Sequence, residues 1–239
     1  MAINYPYSLF QTLAEVTPDA DNVSDMQSDP TMIIIMAAIS IYVFKMWLDD
    51  FKAGQQGKEI KGGFPGATPA PMKAVWIAIA GALVILGLET GGEIALGITG
   101  EQSDITWLFL ISIITAAFVE ELIFRGFLVV DKKGKAALIG SAVGFSLLFT
   151  IFHPFFWDLD MPEGVAGWQI WQGTLVWDFS LKPWFTSAIL FINSLWFYYM
   201  RFTAMNPQKS LIPCMAAHCA SNVGVFVIKL AQGHVVGLY

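Results

Sequence analysis

A chain of 239 residues that is 56% hydrophobic and 13% charged, with a mean hydropathy of +0.60, is too apolar for an ordinary soluble domain, in which about a quarter of the residues are charged. The net charge of −6, from 13 Lys and Arg against 19 Asp and Glu, leaves no basic footprint for nucleic acid. The composition indicates an all-α polytopic membrane protein.

In chain order, residues 1–30 contain no Lys or Arg but carry Glu15, Asp19, Asp21, Asp25 and Asp29, an acidic N-terminal segment. They lack the basic start and continuous apolar stretch of a cleavable signal peptide, so the first helix is expected to insert as a retained anchor. Apolar stretches near the ~20 residues needed to cross a bilayer lie at about 31–48, 73–98, 105–130, 136–156, 184–200 and 210–232. The expectation is therefore a single domain over 31–239 with about six spanning helices. The second is the least regular, because Glu89, Gly91, Gly92 and Glu93 interrupt its far end.

The connections differ in charge. Lys45, Lys52, Lys58, Lys61 and Lys73 flank the first, Lys132, Lys133 and Lys135 the third, and Arg201 and Lys209 the fifth. The second has Glu101 and Asp104 only, and the fourth has Asp158, Asp160, Glu163 and Asp178 against Lys182. By the positive-inside rule the N-terminus lies outside and the odd-numbered connections are cytoplasmic. The expected location is the cytoplasmic membrane of a prokaryote, as a multi-pass protein in contact with the lipid bilayer. Segment 51–71, rich in Gly and Pro, reads as a flexible cytoplasmic loop. The outer loop 157–183 holds Trp157, Trp168, Trp171 and Trp177, residues suited to the membrane–water interface or to docking a membrane-protein partner.

Three patterns place polar groups inside apolar stretches: Glu120-Glu121-x-x-x-Arg125, Phe149-x-x-x-His153 and His218-x-x-x-Asn222. An ionisable group at the bilayer centre costs about 2.5–3.5 kcal/mol on insertion scales, so each needs compensation. Glu121 and Arg125, four apart, stack on one helical face and can form an ion pair. Glu120 is rotated by ~100° and needs a partner on another helix, for which His153 and His218 are the candidates. A carboxylate beside an imidazole in a dry pocket is the chemistry of a general base. Phe149 shares a face with His153 and can fix its ring, while His218 and Asn222 share a face and supply hydrogen-bond donors of the kind an acyl-transfer oxyanion needs. Cys214 and Cys219, five apart in one helix, are wrongly phased for a disulfide and read as small apolar fillers.

Glu120-Glu121-Leu122-Ile123-Phe124-Arg125-Gly126, Phe149-Thr150-Ile151-Phe152-His153 and Ser210-Leu211-Ile212-Pro213 leading into His218-Cys219-Ala220-Ser221-Asn222 resemble the motifs of the CPBP, or Abi, family of intramembrane proteases. That family includes the type II CAAX prenyl endopeptidases and bacteriocin-processing or immunity proteins. The resemblance covers about 105–230. It implies that Glu120 acts with His153 to activate water for attack on a peptide carbonyl of a membrane-associated protein or peptide. It implies also that His218 and Asn222 stabilise the oxyanion, and that Glu121 and Arg125 support the site. Metal-free chemistry is the favoured expectation, with a zinc ion on Glu120, His153 and His218 as the alternative.

Depth along the helices tests the grouping. At ~1.5 Å per residue, Glu120 lies ~15 Å from Val130 and His218 ~12 Å from Ser210, but His153 lies ~25 Å from Ala136. The three come level only if the fourth helix starts late or 136–140 projects beyond the membrane. Rival chemistries fit less well: Ser221 has the wrong helical phase to pair with His218, no Asp lies mid-helix, and Cys214 reads as an unactivated buried thiol. A solute or ion carrier would call for broken helices or an inverted repeat, and none is visible. The rival from another class is a catalytically silent CPBP-fold accessory or scaffold subunit, its polar residues serving as helix glue and its loop 157–183 docking a larger membrane complex.

Overall fold

The computed structural model describes residues 30–58, 62–99, 104–162, 165 and 169–238. Apart from Pro30, the acidic segment 1–30 lies outside them, as does Trp168. Six α-helices are present among the described residues: α1 (Pro30–Gln55), α2 (Met72–Leu96), α3 (Phe109–Glu120), α4 (Lys135–Phe152), α5 (Leu181–Phe202) and α6 (Ile212–Gln232). They coincide with the six apolar stretches. By length and composition α2, α4 and α6 are long and apolar enough to cross a membrane. The 12-residue α3 is continued without a break by a seven-residue π-helical segment, Glu121–Phe127.

The core is built on small residues. Ala74, Ala78 and Ala82 form a stripe on α2 that lets Phe197 and Met200 of α5 and Cys214 and Ala217 of α6 pack directly on its backbone. Trp196 crosses this seam and donates its indole N–H to the Ala78 carbonyl at 2.9 Å. The irregularity expected in α2 is absent, and the helix runs through Glu89 and Glu93 to a left-handed cap at Gly97. The glycine at 92 serves packing: a Cβ there would come within 2.3 Å of the Phe185 ring. Cys214 and Cys219 are free thiols.

Two connections differ from expectation. Segment 62–71, read as a flexible loop, is a strap fastened to the bundle. The Phe64 amide donates to Asp50 Oδ2 at 2.7 Å, the Trp47 indole to the Pro65 carbonyl at 3.3 Å, and the Leu211 amide to the Gly66 carbonyl at 3.1 Å. Ser210 Oγ donates to the Thr68 carbonyl. Gly and Pro announce turns, but whether a turn is fastened depends on distant partners that composition does not reveal. The second difference corrects the all-α expectation: Trp157–Asp160 (β1) pairs antiparallel with Thr174–Trp177 (β2), with Trp157 opposite Trp177. The same tryptophans that suggested an interface favour strands, because aromatic and β-branched side chains pack well across a pleated pair.

The helical depths are reconciled by one contact. The Val130 amide donates to Ser141 Oγ at 3.1 Å, so α4 begins below the end of the preceding helix and its first two turns project past it. From Lys135 to Ser141 is ~9 Å, close to the excess that set His153 apart.

The Lys209 ammonium donates to Asp131 Oδ2 at 2.9 Å across two connections, and this hydrogen bond holds the Asp131 carboxyl below its ordinary range. A depressed carboxylate pKa contributes stability that is present above the unfolded value and lost as pH falls through the folded one. Comparison of wild type with Lys209→Ala by thermal unfolding in detergent should therefore show a small gap at neutral pH that closes in acid. Gly66 has φ +63 and would place a Cβ 2.6 Å from Leu211 Cγ. Gly66→Ala is expected to lower stability by about 1–3 kcal/mol in the same assay.

Candidate active site

The site is organised where α3 widens into the π segment. The Leu128 amide bonds the Ile123 carbonyl, five residues back, at 2.9 Å. Carbonyls near the end of the segment turn outward to α5: Phe124 O accepts from Tyr198 Oη at 2.7 Å and Gly126 O from Arg201 Nη1 at 3.4 Å. Such a bulge is a common functional device, because it re-aims side chains that a regular helix would stack.

Glu121 and Arg125 are fully buried and paired, with Nη1 3.1 Å from Oε1, as their spacing predicts. Nη1 lies off hydrogen-bond alignment, and Glu121 Oε2 is buried without a hydrogen-bond partner among the described residues. The pair is completed from other helices. Arg125 Nη2 donates to Ser194 Oγ of α5 at 2.5 Å and lies 3.3 Å from the Ser194 carbonyl. Ser194 Oγ in turn donates to Ser146 Oγ of α4 at 2.8 Å. The guanidinium carbon lies 4.5 Å from the Phe149 ring centre, 5.3 Å from that of Phe197 and 5.0 Å from that of Tyr198, so its charge also rests against aromatic faces.

His218 joins this assembly. Its Nδ1 lies 2.9 Å from Glu121 Oε1, so the buried carboxylate holds the hydrogen on Nδ1 and turns Nε2 toward Glu120, whose Oε2 is 3.7 Å away. That distance is an ion-pair approach rather than a hydrogen bond. The imidazole stacks on Phe197 at 5.1 Å and meets Phe149 edge to face at 6.1 Å. Glu121 thus has two partners, Arg125 and His218, where spacing alone supplied one.

His153 lies immediately after α4, at φ −77° and ψ 132°, and its Nδ1 is 2.7 Å from the Phe149 carbonyl. An acceptor there again places the hydrogen on Nδ1 and leaves Nε2 as the free lone pair. Phe149 packs on it with ring centres 4.5 Å apart, as expected from their shared face. The structure therefore brings His218 to Glu120 and seats His153 on the Phe149 ring that His218 also meets. Asn222 is partly committed elsewhere: Nδ2 donates to the Ile113 carbonyl at 2.9 Å and ties α6 to α3, leaving it one further N–H.

No three His, Cys, Asp or Glu side chains among the described residues converge as a metal-ligand set. Each of the two imidazoles has Nδ1 engaged by a carboxylate or a carbonyl, which leaves Nε2 available in both. Ser146, Ser194, Phe197 and Tyr198 are site residues that sequence reasoning missed. The one available signal was a small hydroxyl inside an apolar helix, a frequent helix-to-helix donor.

The buried pair generates a stability prediction. Arg125→Met strands the Glu121 charge and should cost about 3–5 kcal/mol, whereas Ser194→Ala removes one charge-assisted bond and should cost about 1–3 kcal/mol. Thermal unfolding of the purified protein in detergent measures both, and equal, negligible losses would show that the pair is not holding the helices.

No curated protein and no solved structure matches the chain. A family model does, that of the type II CAAX prenyl endopeptidase Rce1-like family, over residues 102–224. The match takes in slightly more than half of the chain, from just before α3 to the middle of α6, and includes every residue of the three intramembrane patterns. The chain belongs to the type II CAAX prenyl endopeptidase Rce1-like family.

Proposed function

We propose that the protein is an intramembrane endopeptidase that hydrolyses a peptide bond of a membrane-associated protein or peptide. The observation that carries this reading is the orientation of His218: a buried carboxylate fixes Nδ1 at 2.9 Å and so presents Nε2 beside a second, partly exposed carboxylate, Glu120. Glu120 and the Nε2 lone pair of His153 take the proton from a water molecule as its oxygen attacks the peptide carbonyl. The same proton then passes to the leaving amine as the carbon–nitrogen bond breaks. For oxyanion stabilisation His218 carries a proton on Nε2 as well, its positive charge balanced by Glu121, and donates it to the developing alkoxide. The uncommitted N–H of Asn222 adds a second donor.

In this reading all six helices cross the cytoplasmic membrane of a prokaryote, the N-terminus lies outside, and the lysine-bearing connections face the cytoplasm. One feature favours the alternative of an accessory subunit. Among the outer residues Trp171 is 68% exposed, Phe179 63% and Trp177 56%, an aromatic surface able to dock another membrane protein through loop 157–183.

Glu120→Gln and His153→Ala, each confirmed to be inserted and folded, should reduce processing of a membrane-associated substrate by about 10²–10⁴-fold, and Asn222→Ala by about 10²-fold or more. Unchanged processing by folded Glu120→Gln and His153→Ala would leave the accessory reading in its place.

A further inference from the structure

The face of α5 turned to α4 and α6 carries polar side chains in two stripes. Thr186 and Asn193 are seven residues apart, as are Ser187 and Ser194, so each pair lies within about 20° around the helix and the two stripes are neighbours. Ser194 is spent on Arg125 and Ser146. The other three each keep an atom in reserve: Thr186 Oγ1, Ser187 Oγ and Asn193 Oδ1 are buried with no hydrogen-bond partner among the described residues. Ser187 is 4% exposed and Asn193 8%. Buried polar atoms in native structures are nearly always bonded, to protein or to ordered water.

Contacts on either flank fix what lies opposite these atoms. α5 runs antiparallel to α4: Ser194 meets Ser146 and, nearer the hairpin, Trp184 meets Phe156 with ring centres 4.8 Å apart. That register brings Ser187 level with His153. Toward α6, Asn193 Nδ2 lies 3.4 Å from Ser221 Oγ, one turn beyond His218, whose ring stacks on Phe197, itself one turn from Asn193. One wall of α5 therefore runs behind both histidines. It also has room, since α5 and α6 each pack more extensively on α2 than on one another and the side chains that meet across the seam, Asn193 and Ser221, are short.

We infer that this wall of α5 is a water-binding subsite, in which Asn193 Oδ1 accepts hydrogen bonds from water and the Ser187 and Thr186 hydroxyls donate to it, and that the hydrolytic water is drawn from it. A ligand for polar atoms in residues more than nine-tenths buried must be small, uncharged and able both to donate and to accept. Water meets those terms and a peptide does not. The bilayer core holds no water, so a reaction that consumes one molecule per turnover draws on water kept by polar side chains. The supply role rests on the hydrolytic reading above; the binding of water does not. Asn193 and Ser187 are thus positioning residues that act through water and not on the substrate.

Radiolytic hydroxyl labelling read by mass spectrometry tests this, because the radicals form from bound water itself and mark the nearest side chain, buried or not. In the full wild-type chain in detergent, Phe197 should be hydroxylated and Met200 should not, although both are 0% exposed and methionine is the more easily oxidised. Asn193→Leu and Ser187→Val, each confirmed to be folded, replace the polar atoms by apolar ones and should abolish the Phe197 labelling. Ser187→Thr, which has the shape of the valine variant but keeps the hydroxyl, should retain it. On a membrane-associated peptide substrate the two apolar variants should lower kcat about tenfold or more with KM unchanged, and Ser187→Thr should keep kcat near the wild-type value. Unlabelled Phe197 in the folded wild type, or undiminished labelling in both apolar variants, would overturn the subsite; lost labelling with unchanged kcat would overturn the supply. The labelling needs no hydrolysis: the expected pattern together with unchanged processing by Glu120→Gln would remove the catalytic reading and leave the water subsite standing.

Discussion

A carboxylate and a guanidinium with no exposed surface, placed inside an apolar helix, constrain everything around them. Neither Glu121 nor Arg125 reaches water, so their desolvation is offset only by each other and by groups drawn from neighbouring helices. Those groups come from every side: Ser194 and Tyr198 from α5, Ser146 through Ser194 from α4, and His218 from α6. The pair therefore acts as the hub that sets the mutual register of the elements around it. Because His218 is one of its ligands, the same hub fixes the imidazole at the site.

The π-helical segment makes this arrangement compatible with a continuous helix. Widening the turn after Glu120 sends backbone carbonyls outward to Tyr198 and Arg201, so α5 is fastened to the segment by both its backbone and its buried charge. Aromatic side chains fill the space between: Phe149 touches the guanidinium, His153 and His218 at once. A single ring thus couples the structural pair to both histidines. Polar bonds set direction here, while ring packing excludes water from the side that must stay dry.

The far ends of the bundle differ in kind. At the lysine-bearing end, Asn206 donates to the Met200, Arg201 and Ser210 carbonyls, and the strap locks against Leu211, producing a sealed floor under the start of α6. At the opposite end α4 gives way early to a β-hairpin whose base is held by the Trp157 indole on the Ile151 carbonyl at 2.9 Å and by the Asp178 amide on Phe156. His153 sits at that transition, so its ring is placed by the end of a helix rather than by its middle.

Much of this was legible in the chain itself. Hydropathy located the helices, because a membrane admits few alternatives to long apolar helical runs, and a spacing of four joined Glu121 to Arg125 and Phe149 to His153, because both are local consequences of helical geometry. The need of Glu120 for a partner on another helix was likewise visible, and His218 of α6 lies 3.7 Å from it. Ser146 and Ser194 were not legible, since a serine in an apolar helix shows neither which way it faces nor what lies opposite. The same holds for the strap, the hairpin and the donor Asn222 spends on Ile113. The sequence by itself determined the helices, the intrahelical pairs and the residue types of the site; tertiary structure alone decided how α4 slides past α3 and which nitrogen of His218 is held by Glu121, because these depend on contacts between residues far apart in the chain that no local period encodes.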